Sequence, residues 1–115
     1  MKLLGTMIED EFRQQLLKGR DNLLTDQRYK SLFNELTKKY PDFKAVFFLE
    51  HIIEEEEDIF DLLIDGLCVV RVEVSRIQDL ISWSEPISLF HYEKKIVSKQ
   101  RKIKLAVALD LSKTR

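Results

Sequence analysis

Cysteine, proline and glycine are scarce: the 115-residue chain has one Cys, two Pro and three Gly. A single cysteine excludes an intrachain disulfide framework and a zinc site built from several thiolates. It also fits a reducing compartment. So little Gly and Pro argues against a disordered tract, a collagen-like repeat or a flexible linker. Gly5, Gly19 and Gly66 are isolated, so no glycine-rich phosphate cradle can form. No stretch approaches the roughly 20 apolar residues that a membrane helix needs. Met1–Leu4 is too short for the apolar core of a signal peptide, and Glu9, Asp10 and Glu11 follow closely. A cytoplasmic protein is expected. An excess of one charge is missing too. Lys+Arg is 19 and Asp+Glu is 20, a net of −1, which excludes a strongly basic nucleic-acid protein or a long acidic tail. The motifs G-x-S-x-G, Walker A, G-x-G-x-x-G, H-E-x-x-H and C-x-x-C do not occur.

What is present reads as one globular domain, 44% hydrophobic and 34% charged. A chain of this length buries roughly two-thirds of its unfolded surface, enough for a core without staples. Thr6 to Lys18 reads as a helix. Thr6 and Glu9 have capping-box spacing, Ile8, Phe12 and Leu16 recur every four residues, and Gly19 is placed to end it. Thr25 or Asp26 to Tyr40 reads as a second, with Tyr29, Leu32, Phe33 and Leu36 on one face and Pro41 as its stop.

Phe43 to Ile53 then reads as a largely buried strand and Ile59 to Ile64 as a second. Asp65-Gly66 supplies the positive φ angles of a type I′ turn, which makes a hairpin with Leu67 to Ser75. In that third strand Cys68, Val70, Val72 and Val74 share one face. Ile77 to Glu85 reads as a loop with one helical turn, and Pro86 to Leu89 as a short edge strand. Lys99 to Lys113 is double-natured. Ile103, Leu105, Val107, Leu109 and Leu111 alternate as in a strand, while the helix formers, Ala106, Ala108 and a capping Ser98 favour a helix. The class is α+β: two N-terminal helices, an antiparallel meander of three or four strands, and a C-terminal helix or, alternatively, a further strand. The helices are expected to cover one face of the sheet.

Charge is segregated along the chain. Glu50 to Asp65 holds eight acids (Glu50, Glu54, Glu55, Glu56, Glu57, Asp58, Asp61 and Asp65) and no Lys or Arg. Lys94 to Lys104 holds six cations (Lys94, Lys95, Lys99, Arg101, Lys102 and Lys104) and no acid. Solvated surface is one reading, and mutual pairing within the fold is another. Electrostatic recognition is the functional one: Glu54, Glu55, Glu56, Glu57, Asp58 and Asp61 would face a basic partner and steer its approach. Five adjacent carboxylates resist desolvation, so Glu54 to Asp58 is expected at the surface. The run lacks the spacing and central Gly of an EF-hand loop, and no metal or cofactor is expected. Lys94, Lys95, Lys99, Arg101 and Lys102, with Phe90 and Tyr92 to stack on bases, form an alternative nucleic-acid surface.

His51, His91 and Cys68 offer little catalytic chemistry. Cys68 lies on the valine face and reads as an inert, buried thiol, and His51 as a structural histidine. Trp83, between small polar residues in the expected loop, is either a binding anchor or a plug at the core's rim. The size, α+β layout, acidic run and missing catalytic constellation together resemble the small immunity proteins of bacterial toxin–immunity systems, such as contact-dependent growth inhibition. That resemblance is to a class of many folds. It implies a non-enzymatic cytoplasmic protein that binds and blocks a cognate toxin domain, such as a basic nuclease. A homodimeric accessory subunit, joined acid to base, is the other alternative.

Overall fold

A computed structural model describes residues 3–78 and 80–113. Helix α1 spans Met7–Thr25, a 3-10 turn spans Gln27–Tyr29, and α2 spans Lys30–Lys39. Strands β1 (Val46–Ile53), β2 (Glu57–Ile64), β3 (Cys68–Ser75), β4 (Ile81–Trp83) and β5 (Ile87–Ser88) follow, then α3 (Leu89–Lys95) and α4 (Lys99–Lys113). The fold is α+β, and its C-terminal segment is a helix.

Alternation along β2 and β3 divides the core in two. On one face, Phe60, Leu62, Ile64, Val70 and Val72 pack with Leu32 and Leu36 of α2 and Leu23 of α1. On the other, Phe47, Leu49, Leu63 and Val69 pack with Leu16 of α1, Tyr92 of α3 and Leu105, Val107, Ala108 and Leu111 of α4. Helices therefore cover both faces rather than one. The reason lies in β2, where consecutive leucines point in opposite directions and both need burial.

α1 joins the two cores at the β1 edge. The capping box forms as expected, with Glu9 Oε1 accepting from the Thr6 N–H and the Thr6 hydroxyl accepting from the Glu9 N–H. The helix does not end at Gly19. It continues to Thr25, and a Cβ at residue 19 would lie 3.2 Å from Phe48 Cδ2. The missing side chain lets the helix cross the sheet edge closely.

The sheet is antiparallel in the order β1-β2-β3-β4, with β5 also on β3. β4 and β5 are two pieces of one edge strand, split at Ser84–Pro86. There the Ser84 hydroxyl accepts from the Arg71 N–H, and Pro86 has no N–H to offer a ladder. No helical turn occurs among the described residues of 76–86. The β1–β2 register shifts between Phe48 and Glu50. This bulge leaves Leu49 and Glu50 on the α4 face and moves His51 onto the Phe60 face.

Asp65 and Gly66 have φ of 53° and 67°, as a type I′ turn requires. The Asp65 carboxylate also accepts from the Lys44 and Ala45 N–H groups, both at 2.7 Å, and ties the approach to β1 onto the hairpin. A Cβ on Gly66 would lie 3.0 Å from Ser112 Cβ in α4. Gly66→Ala should therefore cost about 1–2 kcal/mol in backbone strain, before any displacement of α4. A lowered urea midpoint with an unchanged slope checks this.

Candidate functional site

The strand register places the acidic run at one end of the sheet. Ile53 pairs with Asp58, and Glu57 with Ser75, so Glu54, Glu55 and Glu56 make the β1–β2 turn. The Glu54 N–H donates to the Glu57 carbonyl at 2.9 Å and closes it. All three glutamates are exposed, and among the described residues no ion pair reaches them. Glu57 and Asp58, expected at the surface with them, are half-buried because β2 begins at Glu57.

Arg76 fixes the turn. Its Nη1 donates to the Glu57 carbonyl at 2.9 Å and to the Asp58 carboxylate at 2.8 Å, and its Nη2 to the Glu54 carbonyl. Its backbone N–H donates to the Glu56 carbonyl at 2.8 Å. One guanidinium thus braces the β1–β2 turn against the loop after β3. Arg76 has no part in the acidic surface expected from the sequence. Its signal was isolation, as the only Lys or Arg between Arg71 and Lys94. His51 completes the cluster, with Nε2 2.9 Å from Asp58 Oδ1 and its ring on Phe60 at 4.4 Å. Burial works against ionisation of Asp58, but the bonds from His51 and Arg76 outweigh it and hold the carboxyl below its ordinary 3.8.

Apolar surface surrounds this end. Ile53, the last residue of β1, is 72% exposed, and Ile77, just past Arg76, is 68% exposed. Between the 3-10 turn and the sheet lies a cavity of about 280 Å³. Tyr29, Leu32, Phe60 and Val74 give it apolar walls, and Arg28, Ser31, His51, Asp58 and Arg76 complete the lining.

Asp61 was expected beside the acidic run, facing a partner, and is not there. It is 3% exposed, on the face covered by α3. Arg71 donates to it from Nε at 2.9 Å and Nη2 at 3.2 Å, and the Tyr92 hydroxyl donates at 3.1 Å. Burial and the Asp61 carboxylate push the Tyr92 phenol far up. Trp83 lies in β4 rather than a loop. It is half-buried, edge-on to Tyr40 at 6.4 Å, with Lys39 Nζ 5.8 Å from its ring centre. This packing favours the plug over the free anchor.

The basic residues occupy the elbow between α3 and α4. Lys94 and Lys95 end one helix, and Lys99, Arg101 and Lys102 open the next. Arg101 Nε bonds Glu50 Oε1 at 2.9 Å, so the two charged blocks meet in part within the fold. Burial lowers the Lys104 ammonium against the opposing pull of Glu50. Tyr92, expected to stack on bases, is buried. Phe90 stays exposed, with Lys94 Nζ 4.2 Å from its ring centre.

Cys68 is half-buried, and burial, then the Asp65 charge, raises its thiol. His91 Nδ1 lies 2.9 Å from the Ser88 hydroxyl. Among the described residues no three His, Cys, Asp or Glu are grouped to hold a metal ion. No described helix is long and apolar enough to cross a membrane. No family model, curated protein or solved structure matches the chain.

Two outcomes test the geometry. Asp61→Ala removes the acceptor of both Arg71 bonds and of the Tyr92 hydroxyl, and should cost about 1–3 kcal/mol in urea unfolding. The folded-state pKa of Asp58 is depressed, so its contribution is present above pH 3.8 and is lost as pH falls through the lower folded value. The stability gap between wild type and Asp58→Asn should therefore narrow below about pH 4.

Proposed function

We propose that this chain is a non-enzymatic protein-binding module, an immunity protein that inhibits a cognate toxin domain in the cytoplasm through its acidic turn. The observation that carries the reading is the exposed trio Glu54, Glu55 and Glu56, reached by no ion pair among the described residues and set in a turn that Arg76 braces. Most other acids of the run are engaged internally, Glu50 by Arg101, Asp58 by Arg76, Asp61 by Arg71 and Asp65 by two backbone amides. Beside these three carboxylates, which no ion pair among the described residues reaches, Ile53 and Ile77 add exposed apolar side chains at the same end of the sheet. Such a surface steers a basic partner and then excludes water from the contact.

A second reading uses the elbow between α3 and α4, where Lys94, Lys95, Lys99 and Lys102 are exposed and Lys94 Nζ lies 4.2 Å from the ring centre of exposed Phe90. It would bind phosphates of a nucleic acid, with affinity falling steeply as salt rises. Burial of Tyr92 and the engagement of Arg101 by Glu50 leave it fewer contacts than the sequence offered.

The test is isolation of the partner from native lysate, followed by its expression alone and together with this chain. A stoichiometric protein that is toxic alone and harmless in company supports the proposal. A non-toxic partner, or salt-sensitive nucleic acid instead of protein, overturns it. With the partner in hand, Glu54→Lys/Glu55→Lys/Glu56→Lys should slow association at least tenfold and flatten its salt dependence. The same triple variant should change unfolding free energy by no more than about 0.5 kcal/mol per site, as surface positions do.

A further inference from the structure

We infer that the cavity beside the acidic turn is a socket for one aromatic side chain of a basic protein partner. The inference rests on the turn being a protein-binding surface, and adds what anchors the partner there. Size is the first argument. At about 280 Å³ the cavity has room for one large side chain.

Wall chemistry is the second. The Tyr29 and Phe60 rings meet edge-on at 6.0 Å, and His51 lies over Phe60 at 4.4 Å. An incoming ring extends this set in the edge-to-face and offset contacts that aromatic pairs prefer. Arg28 and Arg76 line the same space and can lie over its face.

Charge excludes the other anchors. The lining holds no spare carboxylate to draw a lysine or arginine, since Asp58 is already bonded to Arg76 and His51. Each lining guanidinium has its own carboxylate, Arg28 at Asp26 and Arg76 at Asp58, both 2.8 Å away, so neither calls for an anion. A carboxylate or phosphate would also enter beside the Asp58 carboxylate, two residues past the acidic turn. An uncharged ring on a basic segment satisfies both constraints: the ring enters, and its flanking cations meet the turn. Anchors of this kind, one aromatic in a desolvated pocket with a charged rim, carry a large share of many interfaces.

The test uses the intact protein and two synthetic peptides, Ac-Lys-Trp-Lys-NH2 and Ac-Gly-Trp-Gly-NH2, followed through backbone amide chemical shifts. Both should shift Ser31, Phe60 and Val74 saturably, the lysine peptide at lower concentration. Ser31→Trp starts from an exposed position on α2 and places a ring in the cavity. It should weaken both peptides at least tenfold, whereas Ser31→Ala, which leaves the space open, should bind as wild type does. Glu54→Lys/Glu55→Lys/Glu56→Lys should weaken only the lysine peptide. If the cavity amides shift with both peptides but the triple reversal changes neither, the socket stands and the acidic-surface reading fails. Shifts confined to other residues, or a Ser31→Trp protein that binds as wild type does, overturn the socket.

Discussion

Leu62 and Leu63 are neighbours on β2, point to opposite faces of the sheet, and are both fully inaccessible to water. A strand with that demand is stable only inside a sheet covered on both sides, and the rest of the molecule follows from it. α2 and the end of α1 close one face, while α3, α4 and the start of α1 close the other. α1 has to serve both, so it crosses the β1 edge and approaches Phe48 where residue 19 has no side chain. The crossing also covers part of an edge strand whose free N–H and C=O groups would otherwise template aggregation.

With the helices committed to the faces, the ends of the sheet are left to turns, and the two ends are finished differently. At one, Asp65 and Gly66 make a tight hairpin packed under α4. At the other, Arg76 holds a glutamate turn in solvent. Acidic residues close to one another in sequence thereby acquire unlike roles. Asp61 is buried and accepts three hydrogen bonds, Asp58 is a half-buried brace, and Glu54 to Glu56 are a solvated surface. The difference is set by strand alternation and by where β2 begins, not by the charge itself.

Local signals were legible wherever a few adjacent residues decide the backbone. The Thr6–Glu9 capping box, the Asp65-Gly66 turn and the valine face of β3 needed no knowledge of distant parts. The helix at Lys99–Lys113 was harder. Alternating Ile103 to Leu111 fits a strand, but Leu105, Val107, Ala108, Leu111 and Ser112 are the residues buried, which is a helical spacing. Gly19 misled because a glycine that ends a helix and a glycine that admits a close neighbour look the same in sequence. Ser84–Pro86 split one edge strand into two short pieces, neither with enough alternation to read in full.

The candidate site was legible as composition and not as geometry. The sequence by itself determined that an acidic run would lie near a strand end, that a single cysteine could build no intrachain disulfide, and that the fold would mix helices with an antiparallel sheet. Tertiary structure alone decided which acids stay free. A one-residue bulge at Leu49 turned Glu50 toward Arg101 and His51 toward Asp58 and Phe60. Arg76 came to the turn from about twenty residues away. Such contacts depend on strand register, and register is settled by the sum of burial over both faces, a quantity that no short window of sequence contains.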